Sequence, residues 1–328
     1  MFGWLRSAER RAAADAAADS SAQSAEGGLT ESNRMLERIE WTIVRRLDGV
    51  LQGDYRTLFR GMGLDLADLR EYQSHDDVRH IDWNVTARTQ VAHVREFHEP
   101  REVTAWFIID LSASLDFGSA GVAKRTLAVD LVATLARLFV RHGNRVGALI
   151  HGPSGDEVVM PKGGRLQVVH ILDRARRCAM PSKHAPAETT RLSSLLLHAQ
   201  GVIKRRSVVF VVSDFLSADP WGRALDPLAR RHEVLAFRIA DPLELSLPNL
   251  GAVVMQDSET GQQLFVDTSD PRFRKRFAAA AAKRAEALKE QLARAGVDGI
   301  EFMTDEPLDT ALMRYVRARK RRSIAGHA

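Results

Sequence analysis

Hydrophobic and polar positions follow two alternating periods over the central and C-terminal parts of the chain. Two continuous apolar runs, 105–109 and 208–212, are typical of strands buried on both faces of a sheet. Stretches with apolar residues every three or four positions predict amphipathic helices between and after these runs. The predicted helices are 123–141, 166–178, 192–203, 221–231, 272–295 and 308–319, and the further strands are 145–151, 157–160, 234–239 and 300–303, with a hairpin over 253–266.

This alternation of strands and helices predicts the fold class. Strands joined through helices form a mostly parallel central sheet with helices on both faces, which is a Rossmann-like α/β domain. Upstream of it, residues 30–51 carry a helical apolar stripe. The Thr and Val content of 81–86 and 90–97 predicts short strands, which make this part of the chain a β-rich segment. We therefore divide the chain into a flexible Ala/Ser-rich leader, an N-terminal helix with the β-rich segment, the α/β domain, and a C-terminal helix with a basic tail, at 1–29, 30–103, 104–305 and 306–328.

Composition and charge narrow the class of protein. With 45% hydrophobic and 27% charged residues, the chain of 328 residues resembles a soluble globular protein. Its single cysteine, Cys178, excludes an internal disulfide, and no apolar run is long enough for a membrane helix, so we expect a cytoplasmic protein without a transmembrane segment. The net charge of +5 belongs largely to six basic residues after Met313, which argues against a basic nucleic-acid-binding face on the folded body.

Polar side chains follow the two buried strands at the points where they end. Asp110, Ser112 and Ser114 follow the first strand, Asp214 follows the second, and Thr190 precedes a helix, with Thr189 as the alternative. Ligands of an open parallel sheet bind beyond the carboxyl ends of its strands, and hard cations prefer oxygen ligands. The pattern therefore predicts a site for Mg²⁺, with Mn²⁺ or Ca²⁺ as alternatives. The competing interpretation is that the hydroxyl residues are only helix caps and turn residues.

The set Asp110-Leu-Ser112-Ala-Ser114 with Thr190 and Asp214 resembles the metal-ion-dependent adhesion site of von Willebrand factor A domains. The resemblance implies that these five residues hold the metal. It also implies an open coordination position at which a carboxylate of a partner completes the shell.

A second resemblance covers the upstream block from Gly63 to Arg88, together with Asp241-Pro242-Leu-Glu244 further along. This block is similar to the signature of the fifty-eighth family of domains of unknown function. That resemblance implies a von Willebrand factor A-like domain, a MoxR-type AAA+ ATPase or its client as partner, and a role as adapter or co-chaperone. The matching upstream residues form either a binding face or a buried ion-pair network, with Trp83 expected in the core: Arg70, Tyr72, Asp76, Asp77, Arg79, Asp82, Trp83 and Arg88.

Two other functions compete with the adapter hypothesis. A Mg²⁺-dependent phosphoester hydrolase would use Asp110 as nucleophile, but Ser112 stands where a second aspartate would supply the general acid. The C-terminal basic tail could instead bind an anionic polymer or membrane. Because the chain also has no Walker loop and no nucleophile elbow, we expect it not to be an enzyme.

Overall fold

The computed structural model describes residues 33–34, 36–37, 68–73, 76–78, 81–96, 103–119, 121–153, 155–178, 191–217, 219–256 and 262–325. The predicted leader, most of the predicted helix 30–51, Arg79 and Thr190 lie outside the described residues. The described strands are β1 (Asp68–Glu71), β2 (His93–Glu96), β3 (Thr104–Asp110), β4 (Arg145–Gly152), β5 (Gly155–Lys162), β6 (Val208–Ser213), β7 (Glu233–Ala240), β8 (Ala252–Gln256), β9 (Gln263–Asp267) and β10 (Asp298–Met303). The described helices are α1 (Trp83–Thr89), α2 (Lys124–Arg141), α3 (Arg165–Cys178), α4 (Leu192–Val202), α5 (Gly222–Arg231), α6 (Pro242–Leu245), α7 (Pro271–Arg294) and α8 (Leu308–Ala325).

A central sheet of six strands organises the domain, in the order β10-β7-β6-β3-β4-β5. Every neighbouring pair is parallel except β4 and β5, which form an antiparallel hairpin at one edge. If these six strands are renumbered 1 to 6 in chain order, starting with β3, the sheet read from β5 to β10 has the order 3-2-1-4-5-6. This is the order of a doubly wound α/β sheet. The predicted Rossmann-like α/β fold with a mostly parallel sheet is confirmed.

The two faces of the sheet bury separate apolar clusters. Alternate side chains of β3 point to opposite faces, so Phe107 packs in one cluster and Ile108 in the other. Helices α2, α3 and α8 cover the first face, and α4, α5 and the end of α7 cover the second. On the first face, the rings of Phe107, Phe210 and Phe237 stack with centroids 5.0 and 5.4 Å apart. Burial on both faces explains why these strands are continuously apolar in sequence.

The upstream segment differs from its prediction. The strand predicted over 81–86 is wrong, because Trp83–Thr89 is the helix α1. Asp82 precedes this helix and accepts hydrogen bonds from the backbone of Val85 through its side chain and of Thr86 through its carbonyl. The strand predicted over 90–97 is found as β2, and its antiparallel partner is β1.

Two further features bear on the predictions. The predicted hairpin over 253–266 is present as the antiparallel pair β8 and β9. Among the described helices, none combines the length and the apolar character that a membrane crossing would need.

Candidate metal centre

The candidate site lies at the carboxyl edge of the sheet, where the strand order reverses. Strands β3 and β6 are parallel neighbours, with Ile109 in register with Val212. The next residues are therefore brought side by side, Asp110 from one strand and Ser213 and Asp214 from the other. An open α/β sheet has its ligand crevice at this switch point, because the connections leave in opposite directions there.

Asp110 is buried and its carboxylate is held on both oxygens. Its Oδ1 accepts from the backbone N–H of Ser112 at 3.1 Å, and its Oδ2 accepts from the hydroxyl of Ser213 at 2.8 Å. Burial raises the pKa of Asp110, and the nearby charge of Asp214 raises it further, although the hydrogen bonds from Ser213 and Ser112 act in the opposite direction. The carboxylate of Asp110 is therefore fixed in place by two neutral hydrogen-bond donors.

The two predicted serine ligands lie together in the loop that follows β3. The hydroxyl oxygens of Ser112 and Ser114 are 3.1 Å apart. Ser112 precedes the short 3₁₀ helix Ala113–Asp116 and makes no side-chain cap hydrogen bond to it. The loop is held by Arg125, whose guanidinium donates to the carbonyl of Leu111 at 3.2 Å. Ser112 therefore stands at the N-cap position of this helix, but its hydroxyl lies against that of Ser114 and does not cap the helix.

Asp214 follows β6 in a tight turn that fixes its side chain. Phe215 has a φ of 57°, which is the left-handed region. Its N–H donates to the Ser213 hydroxyl at 2.9 Å, and the N–H of Leu216 donates to Asp214 Oδ1 at 3.1 Å. The carboxylate of Asp214 is consequently buried at the same edge as that of Asp110.

Lys124, the first residue of α2, carries a fully buried ammonium group. Its Nζ donates to Asp214 Oδ2 at 2.8 Å and to Glu244 Oε1 at 2.5 Å. Burial alone would lower the pKa of Lys124, but the charges of Asp214 and Glu244 outweigh burial and raise the pKa above its usual value. A lysine charge therefore lies permanently against one of the predicted metal ligands.

A third buried carboxylate, that of Asp241, connects the loops around the site. It caps α6 by accepting from the N–H of Leu243 at 2.9 Å, and Glu244 completes the capping box. It also accepts from the hydroxyl of Ser119 at 2.5 Å and from that of Thr304 at 2.6 Å. These hydrogen bonds hold the pKa of Asp241 below its usual range despite its burial. The loops after β3, β7 and β10 are thereby joined at one carboxylate.

Thr190 lies outside the described residues, but the helix that follows it is placed. The backbone N–H of Leu192, the first residue of α4, donates to the hydroxyl of Ser217 at 3.3 Å. The N–H of Ser193 donates to Asp219 Oδ2 at 2.8 Å. Because both acceptors belong to the loop after β6, the start of α4 lies against the segment that carries Asp214.

The donor set fits a hard divalent cation. Asp110, Ser112, Ser114 and Asp214 offer carboxylate and hydroxyl oxygens, which are the ligands that Mg²⁺ and Mn²⁺ prefer over nitrogen or sulfur. In the described part of the chain, no cluster of three or more His, Cys, Asp and Glu side chains forms a metal site. The candidate centre is different in composition, since it combines two carboxylates with hydroxyl groups. A cation bound here would offset the two causes that raise the pKa of Asp110, which are its burial and the like charge of Asp214.

A small cleft opens beside the centre, next to the Glu244 side chain. Its volume is about 150 Å³, which is comparable to one large side chain. Among the described residues, Arg284 at its rim has neither an ion pair nor a side-chain hydrogen bond, so the cleft carries one cation open to a ligand. Its other walls are formed by Leu216, Arg238, Phe277 and Ala281.

The upstream signature residues occupy a separate element. Arg70 lies in β1, and Tyr72 directly follows that strand and is half-buried. Asp76 accepts from the N–H of Gln73 at 2.8 Å and so stabilises a turn, and Asp77 is exposed. The remaining described members belong to the capped helix α1: Asp82 at its cap, and Trp83 and Arg88 on its exposed surface.

Trp83 contradicts one prediction, because 69% of it is exposed and it is not a core residue. It is the first residue of α1, directly after the Asp82 cap, and it belongs to neither apolar cluster of the central sheet. The choice between a binding face and an ion-pair network stays a prediction.

Three residues that contact the carboxylates of the candidate site were not predicted from the sequence: Lys124, Ser213 and Ser119. Lys124 stood within a predicted amphipathic helix, where a lysine is ordinarily assigned to the exposed face. Its position in the first helical turn was a usable signal, because the helix dipole disfavours a cation there unless carboxylates surround it. Ser213 and Ser119 gave no such signal, since their roles depend on acceptors more than 100 residues away in the sequence.

Comparison with known families identifies the class of protein. The chain belongs to the family described as Protein of unknown function DUF58, which matches residues 68–287. An uncharacterized protein of Mycobacterium tuberculosis (strain ATCC 25618 / H37Rv), Rv1480, is 39% identical over 293 residues, which are 89% of this chain and 91% of the relative. The uncharacterized protein MAV169 of Mycobacterium avium is 37% identical over 123 residues, 38% of this chain and 72% of that protein. The predicted membership of this family is confirmed.

Solved structures with a similar chain course include von Willebrand factor A domains. The conserved hypothetical protein BatB from Bacteroides thetaiotaomicron is 13% identical with a TM-score of 0.40, covering 67% of this chain and 99% of BatB. A von Willebrand factor type A protein from Catenulispora acidiphila is 12% identical with a TM-score of 0.34, and the similarity covers 67% of this chain and 42% of that protein. The strand order and the helices on both faces establish the fold class independently of these similarities.

Proposed function

We propose that this protein is a non-catalytic adapter or co-chaperone that binds a protein partner through a divalent cation. The cation would be held by Asp110, Ser112, Ser114 and Asp214, with Thr190 as the fifth ligand. Bound there, Mg²⁺ would supply a Lewis-acidic position that accepts a carboxylate oxygen from the partner. The partner proposed is a MoxR-type AAA+ ATPase or its client.

One observation carries the proposal: oxygen donors from two separate loops meet at the switch point of the sheet. Asp110 and Asp214 are both buried, and the pKa of Asp110 is raised partly by the charge of Asp214. Two like charges placed together in a buried position destabilise the fold, so their presence is typical of a site that binds a cation.

The neighbouring cleft supports a macromolecular partner. A volume of about 150 Å³ suits a single side chain, and Leu216 and Phe277 give it apolar walls. A partner that offered an acidic residue to the cation could place an adjacent side chain in this cleft. Arg284 at the rim favours an acidic or amphiphilic side chain there.

The test is binding of the purified chain to the purified MoxR-type ATPase of the same organism, measured by biolayer interferometry. We expect binding with Mg²⁺, and a loss of at least roughly tenfold in affinity with EDTA or with Asp110→Ala. Glu286→Gln, on the exposed side of α7, is the control for loss of a carboxylate. Equal affinities in Mg²⁺, in EDTA and for Asp110→Ala would refute the metal-bridged model.

The non-catalytic part of the proposal has its own test. We expect no Mg²⁺-dependent turnover of p-nitrophenyl phosphate or of a panel of phosphate esters. Turnover that requires Mg²⁺ and disappears in Asp110→Asn would show instead that Asp110 is a nucleophile.

A further inference from the structure

We infer that Lys124 is a built-in counter-cation that competes with the divalent cation for the Asp214 carboxylate. Its ammonium group balances the site when no metal is bound and so sets how tightly the site holds metal. This inference rests on the metal centre of the proposed function, but it does not depend on the identity of any partner.

The first support is the position of the ammonium group. Lys124 has no exposed surface, and its Nζ lies 2.8 Å from Asp214 and 2.5 Å from Glu244. Lysine is almost never fully buried unless its charge is paired, because desolvation of an ammonium group is costly. Both of its charged neighbours lie at the carboxyl edge of the sheet, so the pairing is specific to this edge.

The second support is that Lys124 is placed against the local preference of the helix. It is the first residue of α2, where the helix dipole is positive and disfavours a cation. That cost is offset only by the two carboxylates it contacts. The helix dipole would instead stabilise an acidic residue in this first turn.

The third support is the charge balance of the site. Asp110, Asp214 and Glu244 carry three negative charges against the one positive charge of Lys124. The nearby guanidinium of Arg125 is paired with Asp116 at 2.6 Å. Loss of the lysine charge would therefore strengthen the attraction for a divalent cation, and loss of the Glu244 charge would weaken it.

A further consequence concerns coupling between loops. Glu244 is fixed by the capping box of α6, and the Asp241 of that box also holds Ser119 and Thr304. If Asp214 held a cation, its ion pair with Lys124 would weaken and the ammonium would keep Glu244 as its partner. The state of the metal centre would thereby reach α6 and the cleft that Glu244 lines.

The experiment measures binding of Mn²⁺ to the full chain by isothermal titration calorimetry, with Mg²⁺ as competitor. For Lys124→Gln we expect a Kd for Mn²⁺ at least roughly tenfold lower than for the wild type. For Glu244→Gln we expect a Kd roughly threefold or more higher, and for the double variant a Kd near that of the wild type. Lys289→Gln, which removes an exposed ammonium on α7, is the matched control and should leave the Kd unchanged.

The rise in unfolding temperature that Mn²⁺ causes is a readout that a merely structural role of Lys124 would not change. In EDTA, Lys124→Gln is expected to unfold at a lower temperature than the wild type, because it leaves two carboxylates uncompensated. Mn²⁺ should raise the unfolding temperature of this variant more than that of the wild type. An equal rise in both proteins, or an unchanged Kd, would overturn the inference.

The outcomes separate this inference from the proposed function. If the wild type binds Mn²⁺ and Lys124→Gln binds it no more tightly, the inference fails and the metal centre stands. If neither protein binds Mn²⁺, both fail. If Lys124→Gln folds only with Mn²⁺ present, the inference is supported. If this variant folds in neither buffer, the Kd of Glu244→Gln for Mn²⁺ decides: a higher Kd than that of the wild type supports the inference, and an unchanged Kd overturns it.

Discussion

The hydroxyl of Thr304 donates a hydrogen bond to Asp241 at 2.6 Å, although the two residues are 63 positions apart in the chain. Asp241 is fully buried and accepts four hydrogen bonds in all, from the backbone and hydroxyl of Ser119, from Leu243 and from Thr304. This carboxylate therefore joins three loops at the carboxyl edge of the sheet, and its removal has consequences for both stability and pH dependence.

Asp241→Asn is expected to lower the free energy of unfolding at pH 7 by about 2–3 kcal/mol, because an amide can accept only part of these hydrogen bonds. The pKa of Asp241 is lowered in the folded state, so its contribution is complete above the unfolded pKa of 3.8 and is lost as pH falls through the lower folded pKa. Urea unfolding of both proteins between pH 7 and pH 3 tests this. A stability difference that did not shrink below about pH 4 would contradict the argument.

Asp110→Asn is expected to stabilise the metal-free protein. The pKa of Asp110 is raised by burial and by Asp214, so the ionised carboxylate costs stability at neutral pH, and this cost disappears as pH falls through the folded pKa. We expect a higher unfolding temperature than that of the wild type in EDTA at pH 7, together with loss of any response to Mg²⁺. Differential scanning fluorimetry in EDTA and in Mg²⁺ measures both effects, and a destabilised variant in EDTA would count against the like-charge argument.

Phe215 offers a matched pair of substitutions. Its ring packs on Trp221 with centroids 5.2 Å apart, and its φ of 57° favours glycine. Both Phe215→Ala and Phe215→Gly lose the packing, at about 3 kcal/mol or more. The free energy of unfolding of Phe215→Gly should be about 1 kcal/mol higher than that of Phe215→Ala, because only alanine is strained at this φ. Chemical unfolding of both variants measures the difference, and equal stabilities would mean that the turn relaxes.

The fifth metal ligand can be identified by substitution. Thr190→Val removes the hydroxyl and keeps the shape of the side chain, and we expect it to weaken Mn²⁺ binding by roughly tenfold. Thr189→Val is the matched control and should leave the Kd close to that of the wild type. The reverse result would assign the ligand to Thr189, and no effect from either would remove this loop from the metal centre.

Cys178 is expected to be unreactive in the native protein. Burial and the charges of Glu157 and Asp156 raise the pKa of its thiol to about 11. Compared with the usual value of 9.0, the thiolate fraction at pH 8 is then about a hundredfold smaller. Reaction with Ellman's reagent should therefore be slow before unfolding and rapid in denaturant. Rapid native labelling would show that the α3 terminus opens.

The central sheet was predictable because burial on both faces leaves a clear record in the sequence. The run 105–109 has no polar residue, and the structure buries all of it in β3. Residues 81–86 were not predicted correctly, because β-branched Val85 and Thr86 favour a strand. The cap formed by Asp82 outweighs that preference, and a capping signal was available at this position.

The candidate site was predictable only in part. Asp110, Ser112, Ser114 and Asp214 follow buried strands, and the rule for carboxyl ends was enough to bring them together. Lys124 could not be found in this way, because its pairing with Asp214 spans 90 positions in the chain. A hydrophobic pattern predicts which apolar side chains are buried. It does not predict a buried charged side chain whose partner is distant in the sequence.

The strand order also governs when the centre can come into existence. Asp110 ends β3 and Asp214 directly follows the adjacent strand β6, yet the described elements α2, β4, β5, α3 and α4 lie between these two strands in the chain. During synthesis on the ribosome, Asp110, Ser112, Ser114 and Lys124 emerge before Asp214. The Asp214 carboxylate and its ion pair with Lys124 are therefore absent at that stage. If the proposed centre binds a cation, a nascent chain can hold it only after β6 has docked beside β3, so metal binding would report that these two strands have paired.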